Sequence, residues 1–235
     1  ARRVIAISRN GRQEIHDLLG VPLEAIDVAY PGVGAEFKPC PREEVEAFRR
    51  QRGLPERYIL HLGTLEPRKN LETLIRAYAR LPQRRDVGLV LAGGSGWKAE
   101  SVSQLIEELS LGKSIIRPGY IAGSELPMWY NAAQVFAYPS LYEGFGMPLV
   151  EAMACGVPVV ASDTTSLPEA VGPAGILLPP TDVDAWADAL ARLLDDEAAR
   201  RNYARRGQQH AHMFTWTQTA RQTAQAYHRA LSMRG

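Results

Sequence analysis

The sequence predicts an α/β fold built on an open, doubly wound parallel sheet. Two observations carry this. Short apolar runs alternate with longer helical patterns along most of the chain, which is the order of repeated βαβ units. Most of the runs are continuously apolar rather than alternating, as expected of parallel strands covered on both faces. Strands are expected at residues 4–8, 26–30, 58–62, 88–92, 115–118, 135–138, 157–161 and 175–178. Helices are expected at 43–52, 71–80, 100–109, 125–132, 148–154 and 184–194, with a last one at about 217–231. Parallel neighbours need right-handed crossovers, so helices must lie on both faces.

Taken in order, each element has a local reason. The chain opens abruptly on Arg3-Val-Ile-Ala-Ile-Ser8, as a domain cut from a longer protein would. The run at 58–62 stops at Gly63, and the run at 88–92 stops at Gly93-Gly-Ser-Gly96; glycine permits the sharp turns that follow strands. The run at 135–138 leads through Pro139-Ser-Leu-Tyr-Glu143-Gly-Phe-Gly146 into a helix with Pro148 in its first turn, where proline is tolerated. Pro179-Pro180 reads as a linker before a final helical layer. Thr181-Asp-Val-Asp184 has the spacing of a metal-binding Asp-x-Asp. It is better explained as a helix start, with Thr181 as the N-cap and Asp184 favouring the dipole. The pattern Ala185, Trp186, Ala189, Leu190, Leu193 then continues at helical spacing. No metal is assigned. In the last helix Ala220, Ala224, Tyr227 and Leu231 form a stripe whose packing partner is left open.

Bulk properties narrow the function. The chain has 235 residues, 46% hydrophobic, with a formal net charge of +1. No global field recruits nucleic acid or acidic lipid. Cys40 and Cys155 form no disulfide framework, which fits a reducing compartment such as the cytoplasm. No run approaches the roughly 20 apolar residues of a membrane span, and no signal peptide opens the chain.

In an open parallel sheet, ligands bind beyond the carboxyl ends of the strands, and three loops there stand out. In Gly63-Thr-Leu-Glu-Pro-Arg-Lys-Asn70, Arg68 and Lys69 adjoin a helix start. Helix amides and two cations together suit a phosphate, although a solvated surface pair is the plainer alternative. The second loop, Gly93–Gly96, fails the Gly-x-Gly-x-x-Gly spacing because position 99 is alanine; Gly94 is given a minor cleft-lining role. In the third, the amides of Gly146, Met147 and Leu149 are expected to face the mouth of the sheet. Glu151, early in the same helix, leans back toward that mouth. Glu143 and Glu151 then converge on one cleft, and carboxylates suit polyols because each accepts several hydroxyl hydrogen bonds.

The run from Tyr138 to Ala161, with its two glutamates Glu143 and Glu151, resembles the signature of the retaining group 1 glycosyltransferases of GT-B architecture. Tyr30-Pro-Gly-Val33, Gly63–Leu71, Gly119-Tyr-Ile121 with Glu125–Tyr130, Ser166-Leu-Pro-Glu169 and Phe214-Thr-Trp216 resemble further landmarks of that family, in order. The resemblance implies a Rossmann-like donor domain over residues 1–235, one half of a two-domain fold. The amino-terminal acceptor domain would lie outside the chain, and nothing in it reads as a second sheet. It implies that Glu151 holds the ribose hydroxyls, Glu143 contacts the transferred sugar, and backbone groups of Gly144, Phe145 and Gly146 hold sugar hydroxyls. Gly63, Arg68 and Lys69 would take the diphosphate, and backbone atoms of Tyr120 and Ile121 the base edge. Thr64 stands where many relatives carry a basic residue, so Arg68 and Lys69 would supply most of the charge. The implied partners are a nucleoside diphosphate sugar and a glycan or lipid-linked acceptor. No cofactor or metal is called for, and the full-length protein would work at the inner face of the membrane. A dehydrogenase half would need Gly-x-Gly-x-x-Gly after the first strand, where Ser8-Arg-Asn-Gly11 stands instead. A non-catalytic sugar-nucleotide-binding module, and epimerases or phosphorylases of the same architecture, remain as alternatives. The loop Leu65-Glu-Pro-Arg-Lys-Asn70 is similar to mannosyl- and rhamnosyltransferases of polysaccharide assembly.

Overall fold

A computed structural model describes residues 2–94, 96–97 and 100–232. Ser95 of the glycine turn and Ala99, which breaks the dinucleotide spacing, lie outside them. The main sheet has six strands: β3 (Tyr58–Leu62), β4 (Gly88–Ala92), β5 (Ile115–Gly119), β6 (Val135–Tyr138), β7 (Val159–Ser162) and β8 (Ile176–Leu178). All neighbours pair in parallel, in the order β5-β4-β3-β6-β7-β8. This is the doubly wound, Rossmann-like order. Every residue of β4, β6 and β7 is buried, which is why these strands read as unbroken apolar runs.

Helices close both faces. On one, α3 (Leu71–Ala79), α4 (Glu100–Glu108) and α8 (Val183–Asp195) pack Leu74, Ile75, Ile106, Trp186 and Leu190 against Ile59, Leu89, Val135 and Val160. On the other, α2 (Arg42–Arg52), α5 (Leu126–Ala132), α6 (Met147–Ala154), α7 (Leu167–Val171) and α9 (Glu197–Ala211) cover Tyr58, Leu60, Phe136 and Val159. The cap of α8 is Asp182, whose side chain accepts from the Ala185 amide at 3.0 Å, and not Thr181 as the sequence suggests. Asp184 pairs with Arg80.

The expected placement of the first two strands is corrected as well. The first two strands, β1 (Val4–Ala6) and β2 (Ile26–Val28), do not join the main sheet. They form a separate parallel pair around α1 (Arg9–Leu19). A continuous apolar run reports burial on two faces but carries no label for which sheet buries it. The extended stretch after β2 contains Pro31, Pro39 and Pro41 and leads the chain away before α2. Helix α10 (Trp216–Ser232) crosses back onto this unit. Thr219 donates to the Tyr30 carbonyl at 2.6 Å, and Arg229 reaches Asp27 at 2.7 Å. The face that packs carries the buried Ala226, whereas Ala220, Ala224, Tyr227 and Leu231 all lie exposed. Helices α1, α7 and α9 escape the sequence reading; α1 and α9 have low apolar content, and α7 is a single short turn-and-a-half.

Candidate functional site

Strands β3 and β6 are neighbours, yet the helices that follow them, α3 and α6, pack on opposite faces. The winding reverses between them, so a crevice opens beyond their carboxyl ends. Two loops meet there. After β3 the chain turns at Gly63 and makes one 3-10 turn, Pro67–Lys69. Asn70 then adopts a left-handed φ of 52°, and its side-chain amide donates to the carbonyls of Pro139 at 3.1 Å and Pro180 at 2.6 Å. The Leu141 amide donates to the Arg68 carbonyl at 2.8 Å, which stitches the loop after β6 to the loop after β3.

That stitching gathers three charges. Lys69 Nζ donates to Glu143 Oε1 at 2.5 Å and to the Tyr138 hydroxyl at 2.8 Å. Arg68 Nη1 stands 3.0 Å from the same carboxylate oxygen and donates to the Tyr142 carbonyl at 2.6 Å. Its remaining nitrogens donate to Glu66. The side chains of Lys69 and Glu143 are only 7% and 12% exposed, while Arg68 is 40% exposed. Burial pushes the Glu143 carboxyl up, but Lys69, Ser140 and Arg68 together hold it below the usual carboxylate range. Burial and the adjacent Glu143 charge push Tyr138 well above the ordinary phenol range.

The loop 143–147 is held from its far side. Thr165, at a φ of 50°, accepts from the Glu143 amide at 3.1 Å, and Ser166 donates to the Glu143 carbonyl at 2.7 Å. Gly146 has a φ of 102°, and a Cβ there would lie 2.8 Å from Leu167 Cδ2; only glycine fits. Among the described residues nothing accepts from the amides of Gly144, Phe145, Gly146 or Met147, which run into the start of α6. Leu149 is different. Its amide donates to the Gly146 carbonyl at 3.0 Å and its side chain is fully buried, because the first turn of α6 tightens and consumes that donor. The Phe145 ring packs between Tyr30 and Phe214, at 5.5 and 5.3 Å between centroids, so only its backbone faces the mouth.

Glu151 is positioned separately. It accepts from the buried Tyr130 hydroxyl at 2.8 Å. Burial raises its pKa, the Tyr130 bond opposes this, and Glu36 reinforces it. The two glutamates therefore stand at opposite ends of one loop and helix start, each with its own partner. Gly63 and Gly93 pack backbone to backbone; a Cβ on Gly93 would sit 2.0 Å from the Gly63 carbonyl oxygen. Gly94 accepts from the Leu65 amide at 2.9 Å, so this turn mainly braces the loop after β3. Tyr120 is 82% exposed while Ile121 is buried, beyond Gly119, whose carbonyl accepts from Gly93 at 2.8 Å. A cleft of about 410 Å³ lined by Asn10, Glu14, Tyr142, Glu143 and Gly144 opens beside the charged cluster.

Tyr138, Tyr130, Thr165 and Ser166 all shape the site, yet sequence reasoning gave them no role. Their only signal is adjacency to the motif or to a landmark. Among the described residues no cluster of three or more His, Cys, Asp or Glu side chains could hold a metal ion, and no helix is long and apolar enough to cross a membrane.

The fold is a doubly wound sheet whose switch point gathers two cations, a carboxylate and a row of open amides. The family described as "Glycosyl transferases group 1" matches residues 43–210, and the chain belongs to it. Among its relatives, the O-antigen chain mannosyltransferase B of Escherichia coli is 38% identical over 97% of this chain and 60% of its own length. The D-inositol 3-phosphate glycosyltransferase of Paenarthrobacter aurescens is 34% identical over 99% and 58%. The chain thus spans about 60% of the length of these relatives. Among solved structures of GT-B glycosyltransferases, sucrose-phosphate synthase from Thermosynechococcus elongatus superposes with a TM-score of 0.87 at 31% identity, covering 99% of this chain and 59% of that one. Anabaena HepE, in complex with UDP and glucose, superposes with a TM-score of 0.87 at 25% identity, covering 97% and 63%.

Proposed function

We propose that the chain is the donor-binding part of a retaining glycosyltransferase that moves mannose or a similar hexose from a nucleoside diphosphate sugar to a glycan or lipid-linked acceptor. The observation that carries this is the Arg68–Lys69–Glu143 cluster at the switch point, beside the open amides of residues 144–147. Arg68 and Lys69 take the diphosphate, whose negative charge grows as the sugar bond breaks. Preorganised cations and amides bind that charge most tightly in the transition state, which is what accelerates a reaction. They supply the positive charge themselves, so no metal or cofactor enters the scheme. Glu143 and the backbone of Gly144, Phe145 and Gly146 hold the sugar, Glu151 the ribose diol, and the backbone of Tyr120 and Ile121 the base edge. The mannosyltransferase names among the relatives, and UDP in HepE, support the ligand class.

Residues 1–235 make up this donor-binding half, the β1–α1–β2 unit held to it by α10, and the acceptor-binding half lies outside the chain. The full-length enzyme would act in the cytoplasm at the inner membrane face. A thermal-shift panel of GDP, UDP, dTDP and ADP tests the donor reading. A ligand at a hundred times its dissociation constant stabilises by about 2.7 kcal/mol; no shift with any of the four would overturn it. A transfer assay with radiolabelled donor separates the halves. These residues alone should bind donor and transfer negligibly, because the acceptor must be positioned and water excluded, and substantial turnover by this chain would refute the division of labour.

A further inference from the structure

We propose that His61, a β3 residue with no place in the scheme above, is a positioning residue that supports the Lys69 ammonium. The inference rests on the diphosphate role given to Lys69. His61 is completely buried. Its Nδ1 lies 3.1 Å from the Ala137 carbonyl on β6. A carbonyl only accepts, so the proton sits on Nδ1 and Nε2 is left as a bare acceptor. That Nε2 has no hydrogen-bond partner among the described residues. It lies 3.5 Å from the point a Gly63 Cβ would occupy, and Lys69 Cε lies 3.2 Å from the same point. The ring also stacks on Tyr138, at 5.8 Å and 19°, and the Tyr138 hydroxyl accepts from Lys69. One imidazole therefore touches the exits of both switch-point strands.

The physical role follows from the dipole. A neutral imidazole protonated on Nδ1 carries its positive end toward Ala137 and its negative end toward the Gly63–Lys69 side. A nearly buried ammonium is costly to desolvate, and a fixed dipole aimed this way offsets part of that cost. Burial lowers the His61 pKa to about 4, which keeps the ring neutral; a second positive charge there would oppose Lys69. A leucine would fill the space without stranding a lone pair, so packing alone does not account for histidine.

The test uses this chain with UDP, GDP, uridine and guanosine as probes, followed by calorimetry. His61→Phe keeps the stacking ring but removes both the Nδ1–H bond and the dipole. It should weaken the better diphosphate at least fivefold while leaving its nucleoside within twofold. His61→Asn, which offers a donor and an acceptor again, should recover most of the loss. Diphosphate affinity unchanged in a folded His61→Phe protein would overturn the proposal. If that variant does not fold, diphosphate binding by His61→Leu equal to that by His61→Asn would do so. Wild-type protein that binds neither diphosphate more tightly than its nucleoside would instead remove the reading of Lys69 on which the proposal rests.

Discussion

Replacing Lys69 with methionine should reverse the way stability depends on pH. In the wild-type protein the buried Glu143 carboxylate accepts from Lys69 at 2.5 Å and keeps Arg68 at 3.0 Å. Its pKa is held below the ordinary value, so it stabilises the fold above the unfolded carboxylate pKa, and that contribution is lost as pH falls through the lowered value. In Lys69→Met the side chain still fills its space, but the ammonium is gone. Removing one member of a buried pair costs about 3–5 kcal/mol when the other is stranded. Here Arg68 remains, though more exposed, and the carboxyl can take a proton, so a loss of about 2 kcal/mol is expected at pH 8. Burial then dominates and the Glu143 pKa moves up. A raised carboxyl pKa stabilises below that value and loses the contribution as pH rises through it. Urea unfolding of both proteins between about pH 5 and 8 reads this directly. The deficit of the variant should shrink toward pH 5. A deficit below about 0.5 kcal/mol at pH 8, or one independent of pH, would show that Lys69 and Glu143 are not coupled as the geometry requires.

Four further outcomes are expected. Glu151→Ala should cost about 1–3 kcal/mol of nucleotide binding, and a 2′,3′-dideoxy nucleotide should then bind variant and wild type alike; continued discrimination by the variant would remove the ribose role. Because burial raises the Glu151 pKa, wild-type affinity should strengthen as pH rises through that value, measured by calorimetry. Nucleotide binding should survive excess chelator, and a strong magnesium or manganese requirement would contradict the charge scheme. Gly93→Ala should destabilise by at least about 1–3 kcal/mol, since its Cβ would collide with the Gly63 carbonyl at 2.0 Å; a midpoint unchanged in thermal unfolding would refute the backbone packing.

Much of this was written into the chain locally. The central strands of the main sheet, β3, β4, β6 and β7, are legible because a parallel strand covered on both faces needs an unbroken apolar run, as in Tyr58–Leu62 and Val135–Tyr138. Gly146, Pro148 and the two glutamates mark the site because a left-handed turn, a helix start and a polyol contact each demand particular residues. Other matters depended on neighbours distant in sequence. The separation of β1 and β2 from the main sheet was not legible, since apolarity reports burial and not the partner that provides it. That the Leu149 amide is not a free donor is also beyond the sequence, because the residues do not show that the first turn of α6 closes onto the Gly146 carbonyl. The partners of the two carboxylates, Lys69 across 74 residues and Tyr130 across 21, and the tilt of their pKa values, exist only once β3, β6, α5 and α6 are assembled. Short-range chemistry chooses the elements and the reactive groups; which charge meets which, and how dry each becomes, is set by the crossing of the sheet at its switch point.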